Sequence, residues 1–548
     1  MTRRAVTALA AAVALLAIPP GAAALPDGWA GAGFVQARGG TYLTDAFGRR
    51  LQLHGVNLVA KCGGGAIDLP YPGTPCVGPA RGPRLAYVLS PTARDPGRRF
   101  TARDAGTLAR LGFNVVRLGI VWEGLEPGPP AVGPDDATYC APHAPGAPFP
   151  RLGPSDPYDP ATVRRYLART DRIVALLARA GIRVIVDMHS DVYGSAFAYP
   201  LAPHPWNAEG APPWATCTDG DPLTMPTGWP GAFGVSAVRV AIHHFWANDV
   251  RADLQGQFAR VLAAVARHYR DNADVLGYDL YNEPNDQLSP VRDAELQCDD
   301  GGPRHEPASC AAAGGSALPD GLIGAVQRAD PTHVVFYEPN GDSDYGIPTS
   351  IGISEPMRFP RLAFAFHIYG YPPLQIPQTL DERGRMHTLP HRAPPPAVMD
   401  EFGATNRAAR VAATVQLAEA TDLSWAYWSA MQLHDPTRGS PYEGVLNQTT
   451  RRPYAALAQA LAVPYAWATA GEPGLQSFDR VSRAFTYDFL SSPRIAAPTQ
   501  IEVPAYTYPR GYTVRVAGAR VVSRPNASVL ALSCDGPARR VVVELRPR

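Results

Sequence analysis

Val275-Leu276-Gly277-Tyr278-Asp279-Leu280 runs directly into Tyr281-Asn282-Glu283-Pro284-Asn285. The apolar run reads as a buried strand. The proline after the glutamate cannot donate to a ladder, so the strand stops and a loop begins. Glu283 is therefore expected at a strand's carboxyl end, beside the amide of Asn282, where a parallel barrel keeps its reactive groups. Val398-Met399-Asp400-Glu401-Phe402-Gly403 ends another apolar run in the same way. Two strand-end glutamates meet the needs of hydrolysis at a sugar linkage: one gives a proton, the other attacks carbon. Strand alternation points Asp400 to the opposite face from Glu401.

Further strands are predicted at Leu51–Leu58, Asn114–Leu118, Arg183–Met188, Val334–Tyr337, Leu362–His367 and Ser424–Trp428, which with the two above makes eight. Helical patterns fall between most of them. Thr101 and Asp104 stand at capping-box spacing before a helix to Leu111. The segment from Ala161 to Ala180 stops at Gly181, a natural helix end. Val250–Tyr269, Leu322–Ala329, Arg407–Thr421 and Tyr454–Leu461 complete the set. Strands alternating with helices in this number predict an α/β fold, a (β/α)8 or TIM barrel with its site at the strand carboxyl ends.

Two insertions follow strand ends. One spans roughly 123–159 and is rich in proline; the other, roughly 190–249, carries Phe197, Tyr199, Trp206, Trp214, Trp229, Phe233, Phe245 and Trp246. Loops of this length are functional or disordered, and the aromatics argue against disorder. After about residue 470, short β-patterned runs between Pro, Gly and Asn predict a small β-sandwich. The expected organisation is a signal peptide at 1–24, a catalytic barrel at 25–469 and a sandwich at 470–548.

The N-terminus carries Arg3 and Arg4, an apolar Ala5–Ile18 too short to span a bilayer, and Ala22-Ala23-Ala24 as a small-residue cleavage site. This pattern predicts a secreted, extracellular protein whose mature chain begins near Leu25. The 548 residues carry a net charge of +1, so nothing points to nucleic acid or to a strongly charged partner. Seven cysteines in an exported chain suggest disulfides. Cys62 with Cys76 and Cys298 with Cys310 are local pairs, Cys140 and Cys217 could tie the two insertions together, and Cys534 is then left over; spacing alone does not fix the connectivity. No cysteine pair has tight ligand spacing beside a histidine, so no metal site is expected.

Other strand ends carry further chemistry. Arg117 lies in Val116-Arg117-Leu118, His189 follows Asp187-Met188, His367 and Tyr369 lie in Phe366-His367-Ile368-Tyr369, and Trp428 ends the eighth run. Singly, each has an ordinary reading as an ion pair, a satisfied polar group or core. In this order along one chain, over about 50–465, they resemble glycoside hydrolase family 5, whose clan places acid/base and nucleophile after the fourth and seventh barrel strands. The resemblance implies Glu283 as acid/base, Glu401 as nucleophile, and Arg117 and His367 as supporting residues. It puts Asn282 on the sugar 2-hydroxyl, and His189, Tyr369 and Trp428 around the sugar. Glu338-Pro339-Asn340 repeats part of the acid/base string but lacks its asparagine, so Glu338 is read as supporting or substrate-contacting.

Within that family the chain is most similar to the endoglycoceramidases, which cut between oligosaccharide and ceramide. The similarity rests on Gly55-Val56-Asn57-Leu58-Val59-Ala60-Lys61, His189-Ser190-Asp191-Val192-Tyr193, Phe245-Trp246 and Glu401-Phe402-Gly403. It implies that Lys61 and Asp191 bind the first sugar, that the substrate is a glycosphingolipid, and that contact with a membrane or micelle surface is transient. It implies a monomer with a retaining mechanism and no metal or organic cofactor. A raised pKa is expected for Glu283. The aromatic insertion is expected to form an apolar trough for ceramide, lined by residues such as Phe233, Phe245 and Trp246. The rival readings are an endo-β-glucanase or mannanase-like hydrolase of soluble glycans, and a non-catalytic barrel that binds carbohydrate or lipid.

Overall fold

The computed structural model describes residues 29, 31–37, 40–59, 100–129, 132–144, 147–197, 209–223, 233–285, 321–353, 356–388, 393–431, 443–447 and 450–548. The expected leader, Lys61, Tyr199, Trp206, Trp229 and the pairs Cys62/Cys76 and Cys298/Cys310 lie outside the described residues.

A short hairpin, β1 (Leu43–Thr44) and β2 (Arg50–Leu51), precedes the barrel. Eight parallel strands then close on themselves: β3 (His54–Leu58), β4 (Val115–Ile120), β5 (Arg183–Met188), β6 (Val275–Asp279), β7 (Val334–Tyr337), β8 (Leu362–Ile368), β9 (Ala397–Phe402) and β10 (Ser424–Tyr427), with β10 paired to β3. Almost every residue of these strands is buried. That is why they read as apolar runs rather than as alternation.

The helices begin where local chemistry starts them. Thr101 and Asp104 form the reciprocal capping box of Ala102–Arg110. Asp159 caps Pro160–Arg179, a helix with proline in its first turn and Gly181 at φ +78° just beyond its end. The helix expected from Val250 starts at Leu254, where Asp253 accepts from the Gly256 N–H. No helix among the described residues is long and apolar enough to cross a membrane.

The two insertions pack on each other. A disulfide joins Cys140 to Cys217, while Cys534 is free. Backbone bonds run from Glu123 to Gly210, Asp135 to Thr216 and His143 to Asp249. Phe245 and Trp246 correct the trough expectation. They sit on the helix Ser236–Ala247 at 0 % and 5 % exposure, Phe245 against Trp122, Phe258 and Tyr281 and Trp246 against Tyr281. Phe233 is partly buried against the same core. An aromatic-rich insertion buries its own rings when it folds as a helix, and these rings do.

Beyond the barrel lie β11 (Tyr465–Thr469), β12 (Gly471–Phe478), β13 (Phe485–Ser491), β14 (Thr499–Glu502), β15 (Tyr512–Ala517), β16 (Arg520–Val521), β17 (Val529–Ser533) and β18 (Arg540–Pro547). They form two antiparallel sheets around their own core of Phe485, Tyr487, Phe489, Ile501, Leu530 and Val543. One of those sheets, ordered β1-β2-β11-β14-β17-β16, begins with the N-terminal hairpin. Leu51 pairs with Ala468, and Trp29 packs on Trp467 at 4.8 Å.

Candidate active site

Arg117 organises the barrel's carboxyl end. It projects from β4 with no exposure. Its Nη1 donates to Glu401 Oε1 at 2.5 Å and to Asn57 Oδ1 at 3.2 Å. Nη2 donates to Asn282 Oδ1 at 2.9 Å and Glu338 Oε1 at 2.8 Å, and lies 3.1 Å from Asp187 Oδ1. Nε donates to Asp279 Oδ2 at 2.8 Å and is 3.1 Å from Asp400 Oδ2. The planar guanidinium fork suits this many carboxylates as a point charge could not.

Asp400 faces inward, against the expectation from alternation. The ladder between β8 and β9 shifts: Phe366 pairs with Met399, but His367 pairs with Glu401. Such a bulge inserts one residue into the strand and re-aims its side chains. Asp400 and Glu401, consecutive in sequence, both reach Arg117.

Glu401 is held from two sides, by Arg117 and by Tyr369, whose hydroxyl donates to Glu401 Oε2 at 2.7 Å. Glu283 lies across from it. Its backbone is left-handed, φ +50°, and its N–H donates to Glu338 Oε2 at 2.8 Å. A non-glycine residue in that region is a local cost carried by the surrounding structure. His367 connects the two glutamates: Nδ1 is 3.0 Å from Glu283 Oε1 and 3.7 Å from Glu401 Oε2. Its Nε2 faces Glu338 at 3.4 Å and Asp400 at 3.8 Å.

Asn282 is fixed at both ends of its amide. It accepts from Arg117, and Nδ2 donates to the Ser190 carbonyl at 2.8 Å. His189 Nδ1 contacts Asp187 Oδ2 at 2.8 Å, and its ring stacks parallel to Trp428 with centroids 5.4 Å apart. Trp428 Nε1 donates to Glu443 Oε2 at 3.2 Å. Asp191 is buried, 3.9 Å from His189 Nε2, and its N–H donates to the Glu209 carbonyl. Val192 and Tyr193, just beyond, both have positive φ. Of the residues picked out in the sequence, Arg117, His189, Asp191, Asn282, Glu283, His367, Tyr369, Glu401 and Trp428 thus converge on one region.

The inner carboxylates outnumber the cations, and burial decides where protons stay. Burial pushes Asp187 and Asp400 up to about 7, with Arg117 opposing. Asp279, Glu338 and Asp344 are raised by the same cause. Burial opposes a charge on His367, but Glu338, Glu401 and Asp344 hold its pKa well above the usual histidine value. Glu283 departs from expectation. Burial pushes it up, yet the hydrogen bond and charge of His367, together with a hydrogen bond from Asp344, bring it below its ordinary value. In the free protein the proton of this pair rests on His367.

Several of these residues escaped the sequence reading. Asp187, Asp279 and Asp344 were passed over, though a charged residue inside a buried strand run was the available signal for the first two. Asp344 sits in a one-turn helix, Gly341–Tyr345, and nothing in its local sequence marks it. The acidic groups with His189 and His367 also form sets compact enough for a cation: His189, Asp191 and Glu209; Glu283, Asp344 and His367; Glu338, His367 and Asp400. The last two sets share His367, which is held as a cation and so does not favour a metal.

Paired carboxylates at the ends of β6 and β9, with an arginine between the strands, place the molecule among barrel glycosidases. The family profile for cellulase (glycosyl hydrolase family 5) matches residues 97–433, and that for the glycoside hydrolase family 5 C-terminal domain matches 464–544. The chain belongs to glycosyl hydrolase family 5, and it is a glycoside hydrolase. It is 27 % identical to endoglycoceramidase I of Rhodococcus hoagii (strain 103S) over 93 % of this chain and 87 % of that one. It is 26 % identical to endoglycoceramidase of Cyanea nozakii over 44 % of this chain and 40 % of that one. Its fold matches the ganglioside GM3 complex of endo-glycoceramidase II from Rhodococcus sp., with a TM-score of 0.64 and 23 % identity, over 93 % of this chain and all of that one.

Proposed function

We propose that the protein is an exported, retaining endo-β-glycosidase that cuts between oligosaccharide and ceramide in glycosphingolipids. The observation that carries the mechanism is the shared contact of Glu283 and Glu401 with His367 Nδ1. Two carboxyls that reach one imidazole nitrogen lie close together. Retaining enzymes need a separation of roughly 5–5.5 Å, whereas inverting ones leave roughly 6.5–9.5 Å for a water. The full-length similarity to endoglycoceramidase I supports the substrate class. The Cys140–Cys217 disulfide supports an oxidising compartment.

In this reading the proton shared by His367 and Glu283 passes along their 3.0 Å contact to Glu283 and then to the glycosidic oxygen. The bond from that oxygen to the anomeric carbon breaks, ceramide leaves as an alcohol, and a Glu401 oxygen bonds to the same carbon. Water then attacks that carbon. Glu283 takes the water's proton and Glu401 departs as carboxylate, so the β-configuration is kept. Arg117 and Tyr369 orient Glu401. Asn282 offers its second amide hydrogen to the sugar 2-hydroxyl, Trp428 and His189 form a wall, and Asp191 with Lys61 holds the first sugar.

The test is incubation with a ganglioside, a galactosylceramide-based lipid and a soluble β-glucan, with products read by mass. Ceramide and intact oligosaccharide are expected from a lipid. Faster cleavage of the glucan would refute the lipid reading. Glu401→Ala with azide should give a product of inverted configuration; absence of that product would refute the nucleophile assignment.

A further inference from the structure

Asn57 lies on β3 with no exposure, in register with Arg117 of β4. Both ends of its amide go to the groups that hold Glu401. Oδ1 accepts from Arg117 Nη1 at 3.2 Å, the same nitrogen that donates to Glu401 Oε1. Nδ2 donates to the Asp400 carbonyl at 2.7 Å. The Asn57 carbonyl in turn accepts from the Ala430 N–H at 2.8 Å, just beyond Trp428.

The contact with Asp400 spans the barrel wall, because β10 stands between β3 and β9. The β9–β10 ladder pairs Val398 with Ser424 and Met399 with Trp425. The β10–β3 ladder ends where Tyr427 meets Val56. Asp400 and Asn57 are each the first residue past those paired positions, and there the Asn57 side chain takes over from the ladders. On the other flank of β9 lies the shift against β8 that turns Asp400 inward beside Glu401. The bulge is therefore held from both sides, by β8 and by one amide. The Asp400 carbonyl belongs to the peptide that carries the Glu401 nitrogen. That peptide is planar, so fixing the carbonyl fixes the direction in which Glu401 leaves the strand.

A buried amide bonded at both ends is ordinarily a satisfied polar group of the core. Here its two partners are the backbone behind the nucleophile and the guanidinium in front of it. We propose that Asn57 is a positioning residue for Glu401: it sets the peptide plane from which Glu401 projects and the Arg117 nitrogen that meets its carboxylate. It touches no reacting atom. This rests on the reading of Glu401 as nucleophile and extends it to the first barrel strand.

The test traps the nucleophile. A dinitrophenyl β-lactoside with fluorine in place of the 2-hydroxyl needs no proton from Glu283. A Glu401 oxygen bonds to the anomeric carbon, dinitrophenolate leaves as an anion, and the ester persists. The rate constant of trapping reads folded molecules only, so lost stability does not move it. Asn57→Leu keeps the size and makes neither bond. Trapping should slow at least ~10-fold, and kcat/KM on an aryl β-lactoside with it, while inhibition by free lactose stays within about twofold. Asn57→Asp keeps the shape. Protonated, the new carboxyl donates to the Asp400 carbonyl and accepts from Arg117; ionised, it only accepts. It faces Arg117, Asp400 and Glu401, with Asp187, Asp279 and Glu338 around the same guanidinium, and Asp400 in these surroundings is pushed up to about 7. Relative to wild type, its trapping should stay within about threefold near pH 5 and fall away by about pH 8. Wild-type trapping by the leucine variant would overturn the proposal. If that variant does not fold, a ratio for the aspartate variant that stays level across the same pH range would overturn it. Lactose inhibition that weakens in step with trapping would assign Asn57 to the sugar and overturn it too. A wild type that hydrolyses the aryl lactoside yet resists trapping would remove the retaining reading; Asn57 then stands if kcat/KM still drops at least ~10-fold in the leucine variant, and falls if it does not.

Discussion

Replacing Tyr369 by phenylalanine removes one oxygen and the 2.7 Å hydrogen bond it donates to Glu401 Oε2. A hydrogen bond to a charged group is worth about 1.5–3 kcal/mol, and the partner here is a buried carboxylate. In the glycosyl-enzyme Glu401 is an ester and carries little charge, so the bond is weak there. In the transition state for hydrolysis the carboxylate is re-forming and the bond is partly restored. If about half the charge has returned, half that energy applies, and the step slows by roughly 4- to 12-fold. Formation of the intermediate starts from the full carboxylate, which loses more than its transition state does, so kcat/KM should not fall and should rise by up to about the same factor. The assay is steady-state and burst kinetics on an aryl β-lactoside with a good leaving group. Tyr369→Phe should lower kcat and KM together and enlarge the burst. If kcat/KM instead falls by the full factor with KM rising, Tyr369 serves the sugar rather than the nucleophile, and the reasoning about Glu401 fails.

Other outcomes follow from the buried charges and the cross-link. Asp187 and Asp400 are pushed up to about 7 by burial, and Glu126, buried beneath Trp122, to about 8. Ordinary carboxylates titrate near ~4, so the folded state holds these protons more tightly. That stability is present below about pH 4 and is lost as pH rises through about 7 to 8. The raised His367 acts in the same direction, its contribution present below about 6.5 and lost as pH rises through its folded value. The melting midpoint should therefore fall between about pH 5 and 8; a steady rise across that window would refute the placement of these protons. Asp344→Ala removes a hydrogen bond that lowers Glu283, so the alkaline limb of kcat/KM should move to higher pH, while Asp344→Asn should leave it nearer wild type; an unmoved limb in the alanine variant would refute the contact. The Cys140–Cys217 bridge closes a separation of 77 residues, and reducing it should cost up to about 4 kcal/mol in a denaturant series; an unchanged midpoint would show that the insertions hold without it.

The barrel was legible because each of its strands is buried on both faces and so appears as an apolar run, punctuated by glycine, proline or a cap. The glutamate pair was legible for the same reason, since each ends such a run. Asp400 was not. Its inward direction depends on a bulge, and a bulge is a property of pairing between β8 and β9 rather than of either strand's sequence. Phe245 and Trp246 were misread because an aromatic cluster does not say which of its rings face the core; the helix from Ser236 to Ala247 settles that. The lowered pKa of Glu283 depends on His367, distant in sequence and brought within 3.0 Å by the closed barrel. Asp344 belongs to the same class: its importance lies in what the fold sets beside it.

The hairpin at the start of the chain has a consequence for biosynthesis. Arg50 and Leu51 find their partners in Thr469 and Ala468, and Arg49 reaches the Pro498 carbonyl and Gln500. A ribosome delivers these groups more than four hundred residues apart, so β2 emerges early, paired on one edge with β1, and its other edge waits until the barrel and β11 have followed. That sheet therefore acts as a clasp, joining the segment before the barrel to the segment after it without a covalent bond. A fragment that stops after the barrel would keep both glutamates yet leave an open strand edge ready to pair with a neighbour's. Aggregation, rather than lost chemistry, is the expected fate of such a truncation.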